Sequence, residues 1–149
     1  MKSDLKAIDA FLQPRKLAFA GVSHDPKKFG FMTYMELKNK GFSVAAINPN
    51  CSDLSGDPCY RTIQDLPDDF KHLVILTRKA ETLGLVRDAI AKGITHIWIQ
   101  QMCETKEAIE LAKNHSVNLI YKECILMHSQ PVKGFHKFHR KLKYLFRFN

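Results

Sequence analysis

Apolar residues recur along this chain in two rhythms. Lys16 to Val22, Phe42 to Ile47, His72 to Thr77, Thr95 to Gln100 and Val117 to Tyr121 are short, nearly continuous apolar runs. They are too brief for core helices and too uniform for half-exposed strands, so they predict strands buried on both faces of a parallel sheet. Between them the spacing turns helical. Asp4 to Leu12 carries Leu5, Ile8, Phe11 and Leu12 and ends before Pro14; a second stretch runs through Met32, Met35 and Leu37 until Gly41 stops it. Ala80 to Lys92, with Leu83, Val86, Ile90 and Ala91 turned inward, and Glu104 to Asn114 complete the alternation. Ser52 to Pro67 has glycine and proline breaks and no sustained period, which predicts an irregular excursion.

Strand-helix alternation of this kind implies an α/β protein with right-handed crossovers and helices on both faces of the sheet. The expected architecture is a Rossmann-like, doubly wound, five-stranded parallel sheet of order 3-2-1-4-5, which places a switch point beside the first strand. A chain of 149 residues with 45% hydrophobic content suits one domain, residues 1–130, with 131–149 as its C-terminal helix. No apolar run approaches the roughly 18 to 20 residues needed to cross a bilayer. The N-terminus mixes acids and bases instead of following the layout of a secretory signal, which favours the cytoplasm. The four cysteines, Cys51, Cys59, Cys103 and Cys124, lack a C-x-x-C spacing and read as reduced thiols, although Cys51 and Cys59 flank a turn-rich segment and could pair.

The formal charge of +8 is local. Lys133, Lys137, Arg140, Lys141, Lys143 and Arg147 stand in the last stretch without an acid, while the other 17 of the 23 bases face all 15 acids. This weakens a general nucleic-acid reading. From Phe135 onward, Phe135, Phe138, Leu142, Leu145 and Phe146 share one helical face and the bases the other. That face is expected to pack on the sheet or on a second subunit as a homodimer; membrane-surface or other anionic partners, met through the bases, stay open. His136 and His139 lack a third ligand, so no metal is expected.

The first strand-to-helix loop holds the chemistry. In open α/β sheets, ligands sit at the carboxyl ends of strands, where a helix N-terminus offers free amides. Gly21 permits close backbone approach, Ser23 offers a hydroxyl, Lys27 and Lys28 offer charge, and Gly30 lets a helix begin tightly. Those types suit a phosphate-bearing small-molecule nucleotide, although Asp25-Pro26 equally suits a helix cap. The G-x-G-x-x-G of NAD sites is missing, because the loop runs Gly21-Val-Ser-His-Asp-Pro. The acid expected after the second strand is replaced by Asn48-Pro49-Asn50. NADP is not excluded.

Gly21-Val-Ser23 with Asp25-Pro26-Lys-Lys-Phe-Gly30, Ile47-Asn-Pro49, Gly56-x-x-Cys59-Tyr60, Asp65-Leu-Pro67 and Gly93-Ile-x-x-Ile-Trp98-Ile-Gln100 form an ordered series over residues 14–126. This series resembles the CoA-binding domain family, related to the N-terminal domain of the succinyl-CoA synthetase alpha subunit. The resemblance implies coenzyme A as the ligand, lying across the tips of strands one to four. It further implies that Gly21 and Ser23 line the pyrophosphate and that Lys28, Phe29 and Gly30 complete the loop. Asn48 and Pro49 would border the adenosine, and Thr77 and Gln100 would close the cleft. Thr77 also suits a helix cap, and Trp98 suits packing. Two departures stand out: Gln101-Met102-Cys103 follows the fourth strand where similar proteins often carry glycine, and a basic residue after the second strand is lost.

No catalytic residue is expected. Synthetase-type ligation uses a phosphorylated histidine from a second domain, and no nucleophile elbow, metal-binding histidine pair or P-loop is present. His24, His72, His96 and His115 read as satisfied or solvated, and Cys124 as a buried thiol. The expected function is therefore a non-catalytic or regulatory binder of CoA or acyl-CoA. The rivals are a small NADP-linked oxidoreductase and an anionic-surface or nucleic-acid module acting through the tail.

Overall fold

Asp4 opens α1 (Leu5–Leu12) with extended backbone and a carboxylate that accepts from the Lys6 amide at 3.2 Å, a side-chain cap on the first turn. The computed structural model describes residues 4–50, 53–54 and 56–129. After α1 come β1 (Lys16–Ala20), α2 (Phe29–Asn39), β2 (Ser43–Ile47), β3 (Asp53–Leu54), β4 (Asp57–Tyr60) and β5 (His72–Ile75). The order continues with α3 (Lys79–Lys92), β6 (His96–Gln100), α4 (Lys106–Asn114) and β7 (Asn118–Glu123). The expected C-terminal helix and the basic tail, like Cys51, lie outside the described residues.

The sheet runs β3-β4-β2-β1-β5-β6-β7. All neighbours pair in parallel except β3, which lies antiparallel to β4 at the edge. The architecture is thus the expected Rossmann-like α/β sheet, but the five-strand order 3-2-1-4-5 needs correction. The six parallel strands, numbered in chain order, run 3-2-1-4-5-6, and the strand at His72 pairs with β1 on the side away from β2. The place beyond β2 is filled by β4, from the segment read as irregular. Its four residues, Asp-Pro-Cys-Tyr, bury only Cys59, so they generate no apolar run. Pairings of Ala46 with Cys59 and Ile47 with Tyr60 hold it, and Asp57 is fixed from α2 by the Tyr34 hydroxyl at 2.8 Å and the Lys38 ammonium at 2.6 Å. Cys59 is disulfide-bonded, against the reduced-thiol expectation, while Cys103 and Cys124 are free.

Both sheet faces are covered. Leu17 and Phe19 of β1 enter one cluster with Phe11, Tyr34, Leu37 and Trp98, whereas Ala18 and Ala20 enter the other with Leu73, Ile75, Val86 and Ala108. This is the period of two expected for a central strand buried twice. Trp98 is fully buried, meets Phe11 edge-on at 5.4 Å and donates its indole N–H to the Glu123 carbonyl at 3.1 Å, so it packs as expected. Of the residues expected inward on α3, Val86 is buried and Leu83 and Ile90 pack half-buried against the core, while Ala91 is turned out. Thr82 and Ala89 are buried beside Val86, and the Thr82 hydroxyl donates to the Cys103 carbonyl in the loop after β6 at 2.7 Å. Among the described residues, no helix is long and apolar enough to cross a membrane.

Candidate functional site

The chain passes from β1 to β2 over one face of the sheet through α2 and from β4 back to β5, on the other side of β1, over the opposite face, so the carboxyl end of β1 is the switch point of the sheet. A cleft opens there in two lobes that share Gly21 and Ser23. The smaller, about 360 Å³, lies between the start of α2 and the end of β6. The larger, about 580 Å³, lies between the ends of β2 and β4 and the first turns of α3.

The floor they share is backbone. Gly21 has φ +102°, and a Cβ there would stand 2.6 Å from the Leu76 carbonyl oxygen, so only glycine fits where β1 passes β5. A Cβ on Gly30 would collide with the Gly21 carbonyl oxygen. The first turn of α2 therefore rests directly on the end of β1, and its leading amides have no carbonyl one turn earlier to bond. Ser23 Oγ accepts from the Asp25 amide at 3.2 Å, which leaves its proton to be donated. Asp25 is not a cap of α2: its carboxylate accepts from the Lys27 amide at 2.9 Å in a separate turn, and α2 begins at Phe29 with Lys28 at the cap position.

All nine residues read from the sequence line this cleft. Lys28, Phe29, Gly30 and Gln100 line the smaller lobe, Asn48, Pro49 and Thr77 the larger, and Gly21 and Ser23 both. Lys27 and His24 line neither lobe. Asn48 is braced: its Nδ2 donates to the Val22 carbonyl at 2.8 Å and its Oδ1 accepts from the Asn50 amide at 2.9 Å, tying the β2 turn to the β1 loop. Thr77 is not a helix cap, since Arg78 holds that position in α3. Its Oγ1 is buried without a partner in the larger lobe, and Gln100 Nε2 is buried without one beside the smaller.

The charged residues lining the larger lobe, Arg61, Glu81 and Asp88, escaped the sequence reading. Arg61, just after β4, brings a cation to the larger lobe beside the carboxylates of Glu81 and Asp88. The Pro58-Cys59-Tyr60 segment gave no strand signal, and without a strand Arg61 had no sheet end to stand on. Met102, 75% exposed, and Cys103 rim the smaller lobe. Met102 sits at φ +74°, the left-handed region that favours glycine. Burial pushes the Cys103 thiol above its ordinary range; Glu104 adds to the rise and Lys79 opposes it. The described residues hold no cluster of three or more His, Cys, Asp and Glu able to grip a metal.

A doubly wound sheet with a split cleft over its central strand, floored by a glycine turn and the start of a helix, defines a Rossmann-like domain with its cleft at the switch point. The chain belongs to the CoA-binding domain family, whose sequence pattern matches residues 15–130. It is 25% identical over 129 residues to the alpha subunit of the ADP-forming acetate–CoA ligase II of Pyrococcus furiosus. That match takes in 79% of this chain but 28% of the subunit, so the chain spans under a third of its relative. Among solved structures, a conserved hypothetical protein of Pyrococcus furiosus matches with TM-score 0.75 and 30% identity over 77% of this chain and 99% of its own. A hypothetical protein of Pyrococcus horikoshii shares the fold, with TM-score 0.80 and 23% identity over 89% of this chain and 94% of that one.

Proposed function

We propose that the protein binds CoA or an acyl-CoA as a non-catalytic or regulatory unit, with the diphosphate seated between Gly21, Ser23 and the first turn of α2. The observation that carries this reading is the shared floor. An anion placed there meets helix amides and the Ser23 hydroxyl beside Lys28, and the two lobes leave room for an adenosine on one side and a tail on the other. Arg61 gives the larger lobe a cation for the extra phosphate that CoA carries on its ribose. Among the described residues, no histidine lines either lobe.

Isothermal titration with CoA, dephospho-CoA and NADPH tests the reading. CoA is expected to bind more tightly than dephospho-CoA, and Arg61→Ala to cost CoA about tenfold while leaving dephospho-CoA unchanged, as loss of a charge-assisted bond would. No heat with CoA at millimolar concentration, or binding of NADPH alone, would overturn it.

A further inference from the structure

We propose that a groove at the amino-terminal ends of β6 and β7, on the rim of the sheet opposite the cleft, binds a small amphipathic carboxylate. The groove holds about 310 Å³ and takes its lining from α1, α4 and the first residues of the two strands. α1 packs on one face of the sheet through Ile8 and Phe11, and α4 on the other through Ala108 and Ala112, so the groove follows the edge of β7 between them. Its α1 wall is low, because Ala7 and Ala10 are exposed and carry only methyl groups there. With Phe11, Val117 and Ile120 these make a mostly apolar surface.

Two groups in the groove call for an anion. Among the described residues, Lys113 is the one lysine or arginine lining it, and no acid does. His96 also lines it but is neutral near pH 7: burial holds its imidazole below the ordinary histidine range, while the ring stacks on His72 and Nδ1 lies 2.8 Å from Thr95 Oγ1. The second group is backbone. The Asn118 amide donates to the Thr95 carbonyl at 3.0 Å, and in a parallel ladder alternate residues turn toward the neighbouring strand. Leu119 therefore turns its N–H outward, where β7, last in the sheet, has no further strand among the described residues. A carboxylate at this edge takes the Leu119 N–H and the Lys113 ammonium, and its chain lies along the two alanines and Phe11. The edge is too short for a partner strand. Lys122 has φ +62° and the β6–β7 register shifts between Ile99 and Gln100, so the regular edge ends at Tyr121.

Amide chemical shifts followed by NMR during titration with sodium octanoate and, separately, 1-octanol test the site. Octanoate is expected to move Ala10, Lys113, Leu119 and Ile120, and to bind about fivefold more tightly than octanol, the size of an ion pair at a partly exposed site. Lys113→Gln is expected to erase that preference and leave octanol binding as in the parent. Ala10→Leu, a change at an exposed helix position, is expected to block both ligands; near-ultraviolet circular dichroism of Trp98, the chain's one tryptophan, shows that the core is kept. Octanol binding as tightly as octanoate, or a preference that survives Lys113→Gln, overturns the carboxylate assignment. Parent-like binding in a folded Ala10→Leu variant, or octanoate shifts confined to Gly21, Ser23 and the start of α2, overturns the site. Broadening at Leu119 that grows with protein concentration in the absence of ligand shows that a second copy pairs with this edge, and overturns it as well.

Discussion

Gly30 leaves no space for a side chain, because the Gly21 carbonyl oxygen occupies the place its Cβ would take. Gly30→Ala must therefore lift the first turn of α2 off β1, despite alanine's better helix propensity. It is expected to destabilise the fold by about 1–3 kcal/mol, the range for overpacking a tight contact, and to weaken CoA binding further. Urea unfolding with parallel titration reads both effects; an alanine variant as stable and as tight-binding as the parent would show that the contact is not required. The importance of both glycines was legible from residue type and position alone, since a strand ending in glycine and a helix starting at one leave few other readings. Asn48 lines the larger lobe, and its side chain also joins two loops. Its side chain is spent on the Val22 carbonyl and the Asn50 amide, bonds between loops that no linear spacing reveals.

Elements whose apolar runs are uninterrupted declared themselves, and β1, β2, β5, β6 and β7 all fall where the runs do. β4 did not, because an edge strand of four residues with a proline and a paired aspartate is held by partners remote in sequence, Tyr34 and Lys38 among them. Losing β4 also hid Arg61 and displaced the strand order. Another inter-element contact has a consequence for stability against pH. His72 of β5 donates from Nδ1 to the Phe11 carbonyl of α1 at 2.9 Å and stacks on His96 of β6 with ring centroids 4.1 Å apart. Burial lowers the affinity of both rings for protons; for His72 the neighbouring His96 lowers it further, against the raising effect of the Phe11 carbonyl. Groups held below their unfolded value of about 6.5 favour folding in the neutral form. Their contribution is complete above that pH and is lost as pH falls through the depressed folded values. The melting temperature is expected to drop on acidification from neutrality toward pH 5, and to drop less in His96→Gln. An identical pH profile in that variant would contradict the account.

At the scale of the whole molecule, the doubly wound topology converts local choices into a site. It brings the ends of β1, β2, β4, β5 and β6 to one rim, so that residues as distant in sequence as Ser23, Arg61 and Gln100 face one split cleft. Fold class and the central loop were readable because periodicity and glycine placement are local properties. The division into two lobes was not, since it depends on where the β4 edge and the Met102 rim come to rest. The proposed diphosphate seat lies at Gly21, Ser23 and the start of α2. Backbone amide chemical shifts followed by NMR during titration with CoA test it most directly. The largest changes are expected at Gly21, Ser23, Phe29 and Gly30, with smaller ones at Arg61 and Gln100; changes confined to the opposite rim of the sheet, or none at saturating CoA, would contradict it.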